Sequence, residues 1–78
     1  MDTKALREHL ERALNGAPGL SACDIESISV LIWAGEWEIA LENLCTQISE
    51  YDIEISDESR ELISDLGRHL HVQTDRLL

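Results

Sequence analysis

Apolar residues recur along this chain at spacings of three and four, the period of an α-helix. Leu6, Leu10, Ala13 and Leu14 form one stripe and predict a helix from about Thr3 to Asn15. Asp2 or Thr3 can cap its start, Asn15-Gly16 supplies the stop, and Ala17-Pro18-Gly19 reads as a loop. Ser21 then offers a hydroxyl to the free N–H groups of a second helix, and Asp24 favours the same end electrostatically. Ile25, Ile28, Leu31 and Ile32 make the expected buried stripe of that helix, and Val30 and Trp33 widen it. A helix apolar around so much of its girth is expected at the centre of the fold. The β-branched residues between Ile28 and Ile32 would also suit a strand, but the cap and the helical spacing before them favour a helix ended by Gly35.

The third segment, Glu36 to about Tyr51, is the clearest. Trp37, Ala40, Leu41, Leu44, Cys45 and Ile48 fall on one continuous face. Glu36 and Glu38 lie in its first turn, where the helix dipole favours anions. Ile53 and Ile55 then alternate with acids, as an extended segment laid on a core would. Ser56 or Asp57 caps a fourth helix with the stripe Leu62, Ile63, Leu66 and Leu70. Gly67 interrupts that stripe at a cost of about 1 kcal/mol against Ala, which a close helix–helix approach would rationalise. The tail from His71 to Leu78 either extends the fourth helix or frays. The expectation is one all-α domain over residues 1–78, a compact bundle of about four short helices with antiparallel neighbours.

Charge changes the picture. The net charge is −10, and all six basic residues lie toward the two ends: Lys4, Arg7, Arg12, Arg60, Arg68 and Arg76. Between Ala13 and Ser59 there are ten carboxylates and no Lys or Arg. Solvated faces normally mix signs, so a single-sign stretch calls for a reason. Solubility is one; a basic partner drawn in by the field is the other. Direct nucleic-acid binding is disfavoured, since phosphates would be repelled. The N-terminus shows no secretory signal, and the longest apolar run, Val30 to Ala34, is too short to cross a bilayer. The expected location is the cytoplasm, with Cys23 and Cys45 as two reduced core thiols; one bridge between neighbouring helices is the alternative.

Catalytic chemistry finds little support. His9, His69, His71 and the two cysteines lack zinc-ligand spacing. No serine sits in a nucleophile elbow, and neither a P-loop nor a dinucleotide-binding glycine motif is present. The alternation Asp52, Glu54, Ser56, Glu58 lacks the central glycine of a calcium loop. The expectation is therefore a binding protein, not an enzyme, with no metal and no cofactor. Trp33, Glu36, Trp37 and Tyr51 bracket the acidic helix and its exit. Trp37, on the apolar stripe, reads more as core filling, whereas Trp33 reads equally as core filling or as an aromatic anchor within an acidic patch, the composition that binding hot spots favour.

The stretch Ala34-Gly35-Glu36-Trp37-Glu38-Ile39-Ala40-Leu41-Glu42-Asn43-Leu44-Cys45-Thr46-Gln47-Ile48-Ser49-Glu50-Tyr51-Asp52-Ile53-Glu54-Ile55-Ser56 resembles the signature of MafI-family immunity proteins, and Ile63-x-x-Leu66-Gly67 fits its continuation. The resemblance spans roughly Ile25 to His69. It implies a cytoplasmic antidote of a bacterial polymorphic-toxin or contact-dependent growth-inhibition system, which neutralises the toxin domain encoded beside it. That toxin is often a ribonuclease, including EndoU-like ones, whose cleft is basic because it holds phosphate. On this reading the partner-binding residues are Glu36, Trp37, Glu38, Glu42, Glu50, Tyr51, Asp52 and Glu54. The carboxylates would meet basic side chains of the toxin and the aromatics would supply desolvated area. No membrane contact is expected, and the chain is expected to be a monomer or a weak dimer. The alternatives are a small acidic protein–protein adaptor or a self-associating helical bundle, in which Trp33 and the Leu77-Leu78 tail bury each other.

Overall fold

The structure is a computed structural model that describes residues 1–77. The parts given above to Leu78 and to the Leu77 side chain lie outside the described residues. Four helices of 12 to 14 residues, α1 (Thr3–Asn15), α2 (Ala22–Trp33), α3 (Trp37–Glu50) and α4 (Asp57–Leu70), are followed by a single turn, α5 (Thr74–Leu77). The all-α bundle is thus as the apolar periodicity predicts, with one short element added.

The caps explain where the helices start. Asp2 Oδ1 accepts from the Ala5 N–H at 2.8 Å. Ser21 Oγ and Ser56 Oγ each accept from the N–H three residues on, at 3.1 Å. Each satisfies a donor that has no partner inside its helix. The stops of α2, α3 and α4 share one design. Gly35, Asp52 and His71 all adopt left-handed backbone, with φ of 79°, 53° and 61°. In each case the following N–H reaches back to the last turn: Glu36 to Leu31 O, Ile53 to Ile48 O and Val72 to Gly67 O. This is the Schellman stop. It accounts for the tail, where His71 turns the chain out of α4 and α5 folds back beside it. Gly67 is required there. A Cβ on it would lie 2.7 Å from both Val72 O and Thr74 Cγ2, so the close approach comes from the returning chain and α5.

The core joins Leu6, Leu10, Ala13 and Leu14 of α1 to Ala40, Leu41, Leu44, Cys45 and Ile48 of α3 and to Ile63, Leu66 and Leu70 of α4. Ile53 and Ile55 pack against it, as their alternation predicts. The central element is α3, which packs on α1, α2, α4 and α5, whereas α2 packs only on α1 and α3. This corrects the central position expected of α2. It buries Ile28 and Ile32, half-buries Leu31, and leaves Ile25 37 %, Val30 62 % and Trp33 64 % exposed. A helix with two neighbours can bury only part of its girth, whatever its composition. Cys23 shares the exposed side of α2, so the expectation of two core thiols fails for it; Cys45 is fully buried, and the two are unbridged. Among the described residues, no helix is long and apolar enough to cross a membrane.

Candidate protein-binding surface

Because one face of α3 is committed to the core, its other face is fixed in solvent. Glu38, Ile39, Glu42, Asn43, Ser49 and Glu50 all point outward. Glu38 and Glu42 are one turn apart, and Ile39, 48 % exposed, lies beside them. Fourteen residues make a helix about 21 Å long, so this face runs along most of a molecule whose longest dimension is 30 Å. Tyr51, Asp52 and Glu54 extend the exposed surface past the end of the helix. At the other end Glu36 precedes α3 without making a side-chain cap bond, which leaves its carboxylate to solvent. Seven of the eight residues expected at the interface are exposed, and Trp37 is half-buried with its ring packed on the core.

The helix dipole accounts for Glu36 and Glu38 at the start of α3 but not for the acids at its end. The last turn of α3 holds Glu50 and no base, and Asp52 and Glu54 follow it, although a helix C-terminus favours cations. Among the described residues the only ion pair joins Arg68 to Asp65 on α4. Among the described residues none of the carboxylates from Asp24 to Glu54 has a basic partner in an ion pair. Asp52 also occupies a left-handed position where glycine is the relaxed choice. Asp52→Gly is expected to raise stability by about 1 kcal/mol. The thermal midpoint should rise by roughly 4–8 °C for a domain of this size. An unchanged midpoint would mean that the aspartate carries a compensating local interaction.

Sequence reasoning named the two tryptophans of this surface but missed the residue that joins them. Arg7, from α1, lies over the Trp33 ring at 4.4 Å from its centroid and over the Trp37 ring at 5.7 Å. The two rings therefore share one cation. Arg7 Nε is buried without a hydrogen-bond partner, so the rings hold the guanidinium in place. Nothing in a one-dimensional pattern links Arg7 to Trp33. The available signal was the lone basic residue on the α1 turn after Leu6, facing a chain with two tryptophans and no Phe.

Elsewhere, open clefts of 200 to 520 Å³ lie along α4, at Ser64 and Asp75 and at Arg12 and Glu58. Their lining comes from α1, α4, α5 and the adjoining turns and includes no α3 residue. Among the described residues no three His, Cys, Asp or Glu side chains gather as a metal site would need. His9 Nδ1 lies 2.6 Å from the Ala5 carbonyl on its own helix. In the comparisons with known proteins, no family model, curated protein or solved structure matches the chain.

Proposed function

We propose that this protein is a cytoplasmic immunity protein that acts by binding and not by catalysis. Its partner is the basic nuclease toxin domain encoded beside it, of the EndoU-like ribonuclease type. The observation that carries this reading is the outward face of α3 with its flanking turns: Glu36, Glu38, Glu42, Glu50, Asp52 and Glu54 are exposed together, and among the described residues none of them is in an ion pair. The stretch that resembles the MafI family, Ala34 to Ser56, coincides with that surface. A row of fixed carboxylates competes with RNA phosphates for the Lys, Arg and His side chains of a nuclease cleft. Tyr51 and Trp37 add apolar area at its two ends.

Titrating the protein into the neighbouring toxin domain while following RNA cleavage tests the reading directly. Cleavage should fall to zero at a one-to-one ratio at nanomolar concentration. Glu38→Lys with Glu42→Lys should weaken inhibition by about 10- to 100-fold, chiefly through slower association at low salt. The thermal melt should change only slightly, because both side chains are exposed and only Glu38 lies in the first turn, where the dipole favours an anion. Unchanged inhibition would remove these two residues from the interface, and full cleavage with no complex would sink the proposal. The exposed Val30 and Trp33 favour, as second reading, an adaptor or a self-associating helical module without a toxin. Its mark is a molar mass in solution that rises with concentration.

A further inference from the structure

We infer that the edge formed by Val30, Trp33 and Arg7 is the apolar anchor of the partner interface. The occupant is a basic protein surface whose apolar pocket is bordered by Lys or Arg. The inference rests on the immunity reading and deepens it, because it adds a second helix to the contact.

Three observations carry it. First, Val30 and Trp33 lie one turn apart on the open side of α2 and are 62 % and 64 % exposed, although either could have been polar at no cost to the core. Second, Trp33 is not a loose side chain. The Arg7 guanidinium stacks on it and also touches the half-buried Trp37, which ties the exposed ring to the packed one. A large flat side chain already immobilised loses little freedom on binding, which is what a hot-spot residue needs. Third, the rim is acidic. Glu26 shares the open side of α2, and Glu36 and Glu38 flank Trp37, all three exposed. Arg7 is the cation that stacks on the edge. Its terminal nitrogens make no hydrogen bond and are not among the buried unpartnered atoms, so they remain available to a carbonyl or carboxylate of the partner.

That rim decides between occupants. A second copy would meet this face through a two-fold axis, which sets like surface against like. Glu26 would then approach its own copy, and two chains of net charge −10 would be brought together. A basic surface converts the same rim into favourable pairs.

The test measures the dissociation constant between the full chain and the toxin domain encoded beside it across a range of salt concentrations. Trp33→Ala should weaken binding by about 30-fold or more, the threshold of a hot spot, with the cooperative helical melt retained. Its salt dependence should stay parallel to that of the unaltered chain, because no charge is lost, whereas the Glu38→Lys, Glu42→Lys protein should show a flatter one. An unchanged constant for Trp33→Ala overturns the anchor and leaves the immunity reading standing. Absence of a complex with the unaltered chain overturns both. Concentration-dependent dimers that disappear in Trp33→Ala would make a second copy the occupant and overturn the choice of partner.

Discussion

Leu41→Ala should leave the chain largely unfolded at 25 °C. Leu41 is fully buried at the middle of α3, the helix that touches every other element. Truncating a buried leucine costs about 2–5 kcal/mol, since transfer energy is lost and a cavity remains. A core of this size supplies only about 3–5 kcal/mol in total. The helical signal at 222 nm should therefore collapse, or survive only at low temperature. Ile39→Ala is the matched comparison. It removes the same number of carbon atoms from the same helix, but from a side chain 48 % exposed. It should cost less than about 1 kcal/mol. A cooperative melt for Leu41→Ala within about 1 kcal/mol of the unaltered protein would show that the core can collapse around the loss.

The two cysteines should differ in reactivity by a factor on the order of 10² to 10⁴, the range set by a global opening free energy of about 3–5 kcal/mol. Cys23 is exposed on α2 and reacts from the folded state. Cys45 is fully buried, and burial pushes its thiol from 9.0 up to about 12. It must wait for the chain to open. Time-resolved labelling at pH 8 should show one fast and one slow thiol in the native protein and two fast thiols in denaturant. Equal native rates would mean that α3 opens locally. The same burial has a pH consequence of definite sign. The folded chain holds the Cys45 proton to higher pH than the unfolded chain does, so this contribution is fully present below pH 9.0 and is lost as pH rises toward about 12. Cys45→Ala should therefore lose stability less steeply across that window.

These expectations depend on features that were unequally legible in the sequence. Helix starts were legible because Ser21 and Ser56 act on donors three residues away, and the stop at Gly35 because left-handed backbone favours glycine. Asp52 and His71 make the same stop without that signature, so the end of α3 near Tyr51 was legible from its apolar stripe but its left-handed turn was not, and the turn into α5 was not visible. The buried face of α3 was legible because its apolar positions define one direction. In α2 they do not: eight of twelve residues are apolar, so the periodicity names no unique face. Only the arrangement of neighbours decides that Ile28 and Ile32 go inward while Cys23, Val30 and Trp33 stay out. The acidic part of the candidate surface followed from the sequence for a simpler reason, since a run without bases stays acidic however it folds. Its aromatic edge depends on Arg7, which arrives from another helix.

The packing of α1 on α4 gives the segregated charges a geometry. The two ends of the chain, where eight acids meet six bases, become adjacent helices. The segment from Ser21 to Ser56, with eight carboxylates and no base, holds α2, α3 and the turn after them. The folded molecule is thus an electric dipole, with a nearly neutral flank and a negative one. A positively charged surface exerts a torque on such a body before contact. It turns the α3 side toward itself while the two are still separated by roughly a Debye length, about 8 Å at physiological salt. Fewer collisions then begin in the wrong orientation, an advantage that fades as the ionic strength rises.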